Sequence, residues 1–392
     1  MENTGYEFTM VIPSYWGKKN KNEETIFDHP TKLHQKGTLD RLLNSLNIFN
    51  NLKGNIVVLS VANNSKIYDD VKSKVNQIIT PYKNKFDITN FGQRELEELR
   101  GKLNENGVSQ EALNLVNLNN YSNVRNICSL IGIMNKSEYT IFIDDDEVFT
   151  DPNFLNKVNK DMNTSISGKK IKALAGYYLQ PDTYKLDDTK TPGWRKQFWD
   201  NATTMNKAFD LIIGQEPQIK PTPFVFGGNM ILSKEILSKV PFDPKITRGE
   251  DIDFLINSKI QESVFYLDNK LSIVHLPPNS TQEPWKKLKE DALRFLYEKQ
   301  KIQDHISEIN LNELQPYPGR FLDSDLEEKI INTSNLLKKE YESKGDSARA
   351  EECKKIIEIT NENPYKKIDT KVWLKKITKD WQKITQTLEK IV

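Results

Sequence analysis

Four consecutive acids, Asp144-Asp145-Asp146-Glu147, follow directly on the stretch Tyr139-Thr140-Ile141-Phe142-Ile143. The stretch reads as a central strand with apolar residues on both faces, so the acids fall at the carboxyl edge of a sheet with little room to separate their charges. Carboxylates crowded in this way favour a cation among them. Hard divalent ions such as Mg²⁺ take oxygen ligands, and Mn²⁺ suits carboxylates while also accepting an imidazole. A second apolar strand end, Ser272-Ile273-Val274-His275, offers that imidazole in His275. The residues alone leave other readings open: a loop of solvated acids, acids in a helix's first turn, or a histidine with a structural role.

Such acids need a scaffold. Residues 8–12 read as a first strand closed by Pro13-Ser14, followed by a helical pattern through Leu39, Leu42, Leu43 and Leu46 and a second strand over 55–61. Strand, helix, strand is the opening of a doubly wound sheet, whose ligands bind beyond the carboxyl ends of the strands. Residues 63–119 are polar and mostly helical in pattern, strongest over 95–103, and 123–134 read as a buried helix. An apolar stretch over 171–179, a Pro- and Trp-containing loop over 181–223 and a hairpin-like unit over 224–232 come next, with Ser233 placed to cap a helix. Beyond His275 the pattern changes to long helices rich in Lys and Glu over 284–302 and 323–359. A boundary near Pro277-Pro278 divides the chain into 1–278, with halves of about 1–150 and 151–278, and a helical region, 279–392.

Composition narrows the function. With 392 residues, 37% hydrophobic and 28% charged, the chain is long enough for a sizeable core. Lys plus Arg at 56 against Asp plus Glu at 55 leave a formal charge of +1, which gives no global field for nucleic acid or an anionic membrane. Cys128 and Cys353 have neither zinc spacing nor a disulfide framework around them, and suit a reducing cytoplasm. The first residues lack the pattern of a signal peptide, and no apolar run is long enough to cross a bilayer.

Several motifs, taken in order across roughly the first 280 residues, resemble the GT-A glycosyltransferases, nearest the family-2 type. Val11-Ile12-Pro13-Ser14-Tyr15 resembles their opening strand, Val124-Arg125-Asn126 the Arg-Asn that starts the helix before the metal motif, and Tyr139 to Asp146 the strand with its D-x-D. Gly227-Gly228-Asn229 followed by Ser233-Lys234-Glu235 is similar to the acceptor-side segment, and Arg248-Gly249-Glu250-Asp251 to the E-D motif. The resemblance implies an α/β GT-A fold, Rossmann-like and doubly wound with a mixed sheet, carrying a C-terminal helical extension. It implies transfer of a sugar from a nucleotide diphosphate, most readily UDP- or GDP-linked, to an acceptor hydroxyl. By the same resemblance Pro13, Ser14, Tyr15, Arg125, Asp144, Asp145 and Arg248 contact the donor, while Asp146 and the late His275 hold Mn²⁺ or Mg²⁺. The second strand departs from the family, with Ser60-Val61-Ala62-Asn63-Asn64 where many members carry Asp-Asp-Gly-Ser.

In an inverting transfer, favoured here over a retaining one, a carboxylate removes the acceptor proton while a metal offsets charge on the leaving diphosphate. Asp251 is the candidate base, set at a helix start, with Glu250 able to exchange roles and Asp253 expected on the opposite, solvated face. Trp194, Phe198 and Trp199 either stack on a sugar or pack in the core. Trp285, Leu288, Leu293, Phe295 and Leu296 form an apolar helix face that docks on the catalytic region or builds a homodimer. Two rivals share the scaffold: a sugar-nucleotide pyrophosphorylase, whose Gly-rich loop is missing after Ile12, and a sugar-nucleotide or glycan-binding protein without turnover.

Overall fold

The protein is represented by a computed structural model that describes residues 7–18, 27–28, 30–50, 52–180, 182–278 and 282–392. The amino half alternates strand and helix: β1 (Phe8–Gly17), β2 (Thr31–Lys32), α1 (Leu39–Ser45), β3 (Asn55–Ala62), α2 (Tyr68–Ile79), β4 (Ile88–Phe91), α3 (Gln93–Glu105), α4 (Tyr121–Met134) and β5 (Tyr139–Phe142). It continues through β6 (Glu147–Val148), α5 (Phe154–Met162), the small hairpin β7 (Ser165–Ile166) and β8 (Lys169–Lys170), β9 (Ala173–Leu179), α6 (Gly193–Lys196), α7 (Asn201–Ile212) and β10 (Ile219–Pro221). Then come β11 (Met230–Ser233), α8 (Lys234–Lys239), α9 (Glu250–Ile260) and β12 (Phe265–His275), followed by the helices α10 (Pro284–Asp304), α11 (Leu326–Ser343), α12 (Ser347–Glu362) and α13 (Thr370–Ile391).

The main sheet runs in the order β10-β12-β9-β11-β5-β1-β3-β4. From β1 the chain first moves outward in parallel through β3 and β4, then returns to place β5 parallel on β1's other edge. That reversal opens a crevice at the carboxyl ends of β1 and β5. β11 is antiparallel to both β5 and β9, which makes the sheet mixed. The α/β class with a C-terminal helical extension, expected from the sequence, is therefore what the chain adopts.

Alternation along β1 sends Met10 and Ile12 to one face, among Leu39, Leu42 and Val75, and Val11 to the other, among residues of α4. The second core runs on without a break into Leu288, Phe295, Leu296 and Trp381. The apolar face of α10 is thus spent within the chain, which leaves Leu288, Phe295 and Leu296 no part in a dimer interface. Trp199, stacked on Phe321 at 5.0 Å and fully buried, belongs to the same core rather than to a sugar platform. Among the described residues no helix is long and apolar enough to cross a membrane.

Three local expectations need correction. β1 does not stop at Pro13 but continues to Gly17 along β3. Val11 carbonyl accepts from Ile143 on the β5 side, so Pro13, two residues on, turns its missing N–H to that side beyond β5's last pairing and costs no ladder bond. Residues 323–359 are not one helix: Gly345 takes a left-handed φ of 73° and Asp346 caps α12 through the Arg349 amide, dividing α11 from α12. Residues 224–232 form no hairpin, because β11 finds its partners in β5 and β9 and leaves 224–226 as buried loop.

Candidate active site

A cavity of about 280 Å³ lies at the β1/β5 crevice, walled by Tyr15, Arg125, Asp144, Asp145, Asp146, Gly227, Arg248, Glu250, Asp251 and His275. Four strand ends and the starts of α4 and α9 bring these residues together. Beyond them, the wall contains Gly249 and Pro278, together with Asp28, Thr31, Thr38, Tyr121, Tyr178 and Phe226, which do not stand out by type or spacing.

Arg125 holds the centre. Its side chain is 4% exposed, and its guanidinium meets Asp144 at 2.9 and 3.0 Å and Glu250 at 3.1 Å. One cation on α4 thus ties the acids after β5 to the first turn of α9, a charge-assisted fork suited to planar carboxylates. Burial pushes the Glu250 carboxyl up, opposed by Arg125 and aided by Asp251. Asp251 is also pushed up, by burial first, with Arg294 and Arg125 opposing. Its two oxygens accept from the Gly227 amide at 3.1 Å and the Ile252 amide at 2.8 Å, which fixes the carboxylate at the cavity wall. A helix N-terminus favours this negative charge.

Asp145 has a scaffolding part. It accepts from Ser14 Oγ at 2.5 Å and Thr38 Oγ1 at 3.0 Å, joining the end of β1 to the start of α1. Burial and the neighbouring Asp146 push its carboxyl up to about 7 against those two hydrogen bonds. Glu147 is fully buried and raised well above the usual carboxylate range by burial, Asp144 and Asp146. A side chain on Gly228 would overlap the Glu147 carboxylate, so the Gly-Gly turn fits tightly over it. Tyr178 hydroxyl accepts from the Gly228 amide at 2.9 Å, and its ring stacks on His275 at 4.6 Å.

His275 Nε2 faces Asp146 Oδ2 at 3.5 Å, and the antiparallel register of β12 with β6 pairs His275 with Glu147. Arg41, which sequence reasoning passes over, clamps this corner by donating to the carbonyls of Asp146 at 3.3 Å and Leu276 at 2.6 Å. One carboxylate oxygen and one imidazole nitrogen on a common wall form a donor set that suits Mn²⁺. Among the described residues, no three His, Cys, Asp or Glu side chains form a set that would hold a metal ion by themselves. Oxygens of a bound molecule would extend that set.

Four expected contacts lie behind the cavity wall. Pro13 and Ser14 are buried inside β1, and Ser14 spends its hydroxyl on Asp145. Gly228 lies outside the wall, and Asn229 is fully buried, donating to the Tyr177 and Leu271 carbonyls at 3.3 and 3.2 Å to hold β9 beside β12. These positions shape the site without reaching its space. Asp253 also departs from expectation: instead of a solvated face it is buried, 2.5 Å from Lys301 of α10. Arg248 sits at the rim, 3.5 Å from Asp28 and 3.8 Å from Glu290, and Tyr15 packs against Phe27 and Tyr121 at 4.6 and 5.4 Å.

No protein-family model matches the sequence, and no curated protein matches it. Among solved structures, the chain is similar to the mannosyltransferase PcManGT from Pyrobaculum calidifontis in complex with GDP-Man and Mn²⁺, at 11% identity over 98% of this chain and 87% of that one, with a TM-score of 0.44. It is also similar to a mycobacterial protein (11% identity, 78% and 76% covered, TM-score 0.39) and to S. aureus TarS (11% identity, 90% and 55% covered, TM-score 0.38). Similarity at this level does not assign an activity.

Proposed function

We propose that the chain is a metal-dependent GT-A glycosyltransferase that moves a sugar from a nucleotide diphosphate to an acceptor hydroxyl, with inversion. The observation that carries the reading is the meeting, in one crevice at the β1/β5 reversal, of Asp146 and His275 on one wall with Asp251 on another. The donor-side half is residues 1–150, the acceptor-side half 151–278, and 279–392 brace the site.

Asp146 and His275 would hold Mn²⁺ or Mg²⁺, with diphosphate oxygens of a UDP- or GDP-linked donor completing the shell. When bound, the cation would offset charge on the departing diphosphate. The chain's own residues do the rest. Asp144, oriented by Arg125, faces the donor. Asp251, kept in place by the Gly227 and Ile252 amides, accepts the acceptor's proton. Glu250 spends an oxygen on Arg125 and is the weaker candidate base.

A panel of UDP-, GDP-, ADP- and dTDP-sugars tests the proposal, read by thermal shift and by donor hydrolysis with and without Mn²⁺. At least one donor is expected to raise the melting temperature in a Mn²⁺-dependent way, since a ligand bound only to the folded state stabilises it by mass action. A panel with neither binding nor hydrolysis would remove the basis for the reading.

A further inference from the structure

The acceptor side of the site is backed by a charge from outside the α/β sheet. Gly249, the residue before α9, takes a left-handed φ of 73°, and a Cβ there would run into the guanidinium of Arg294 from α10. The left-handed backbone favours glycine at this position, and its missing side chain lets the guanidinium pack onto the chain. Arg294 is 7% exposed and donates from Nε to Glu298, itself fully buried, at 2.9 Å. Its Nη2 is buried without an acceptor among the described residues. An arginine present only to neutralise Glu298 would fork both nitrogens onto that carboxylate. Here the fork is instead laid against the backbone that opens α9, two residues before Asp251.

We infer that Arg294 is a positioning residue for Asp251, fixing the first turn of α9 and setting a permanent positive charge beside the candidate base. The inference rests on the glycosyl-transfer reading for its catalytic meaning, while the placement of Arg294 against Gly249, two residues before Asp251, stands on geometry. The charged and titratable groups that bear on Asp251 are Arg294 from α10, Arg125 from α4, Asp144 after β5, Glu250 on its own helix and Tyr317, which is buried close to Arg294. Arg125 already serves Asp144 and Glu250. Arg294 therefore supplies much of the positive charge that remains for Asp251, and opposes the upward push of burial more strongly than any other group. An ionised Asp251 is able to accept a proton, and a protonated one is not.

The test is a ¹³C-carboxylate NMR titration of the full chain with labelled aspartate, the Asp251 signal being assigned by its loss in Asp251→Asn. In Arg294→Met the Asp251 midpoint is expected to rise by about one pH unit, the scale for losing an opposite charge nearby. Arg294→Lys should restore part of that shift. If Arg294→Met does not fold, Glu298→Gln serves instead and should lower the midpoint, because it leaves the guanidinium without its competing carboxylate. An unmoved Asp251 midpoint in the folded variants overturns the inference.

The second readout is the pH profile of kcat. In Arg294→Met the acid limb should move to higher pH by the same amount, so that turnover at low pH falls about tenfold, with near recovery at high pH and donor affinity within about twofold of the unsubstituted chain. A loss equal at every pH assigns Arg294 a purely structural role. Absence of donor binding and turnover in the unsubstituted chain overturns the transferase reading, and the NMR titration then decides the coupling alone.

Discussion

Two groups of buried acids meet at the first turn of α9, one through Glu250 and Asp251 and the other through Asp253, and they are built differently. Around Lys301 every charge has a partner: its ammonium meets Asp243 at 3.1 Å, Asp253 at 2.5 Å and Asn257 at 2.9 Å, while Tyr297 and Trp373 donate to Asp243 at 2.6 and 3.0 Å. Asp243 is held below the usual carboxylate range despite its burial, while burial pushes Asp253 up to about 6 against the pull of Lys301. At the mouth of the sheet, Asp144 to Glu147 crowd together with Glu250 and Asp251 around Arg125. There Asp145 and Glu147 are pushed up by burial and by one another's neighbours. A cluster that completes itself is structural, and one left short of positive charge has room for a ligand that brings it.

The largest effect that would sharpen this contrast is at Lys301. Lys301→Met leaves Asp243 and Asp253 without their cation and should destabilise the fold by about 3–5 kcal/mol in urea unfolding. A loss below about 1 kcal/mol would mean that the cluster is not self-completing. Next, Asp251→Asn should keep donor affinity and lower kcat by about 10²-fold or more, as expected for removal of a general base. An unchanged kcat would take Asp251 out of the chemistry. In the opposite sense to Lys301, Asp146→Asn should leave the metal-free fold as stable or raise it by up to about 1 kcal/mol, because it relieves like charges. Marked destabilisation by Asp146→Asn would erase the difference between the clusters.

The smallest effect concerns a carboxylate pair away from both. Asp161 is pushed from an ordinary 3.8 to about 7 by burial and by its neighbour Asp268. The folded state therefore keeps a proton that the unfolded chain releases. Stability present in full below pH 3.8 declines as the pH rises to about 7. Asp161→Asn should flatten that decline by on the order of 1 kcal/mol, compared by urea unfolding at pH 4 and pH 8. Parallel stability profiles for the two proteins would contradict the retained proton.

Legibility in the sequence followed locality. The strand before Asp144 is readable because Tyr139 to Phe142 are all buried, and the helix start at Glu250 because Gly249 and three acids in the first turn mark it. Asp253 is misread as solvated because its partner lies 48 residues away, in a helix whose Lys and Glu content suggests surface. Asn229 and Ser14 carry motif-like surroundings, yet their side chains are consumed by carbonyls and a carboxylate across the sheet. Arg41 and Tyr178 have no local signature. They reach the site only because β12 returns beside β6 and β9.

The central claim is that the unfinished cluster takes a divalent cation together with a nucleoside diphosphate. Electron paramagnetic resonance of free Mn²⁺ measures this directly, with protein in excess and UDP or GDP added. The account predicts that the free-ion signal falls further with nucleotide and protein together than with either alone, and that Asp146→Asn abolishes the difference. Equal signals for the unsubstituted chain and Asp146→Asn would contradict it.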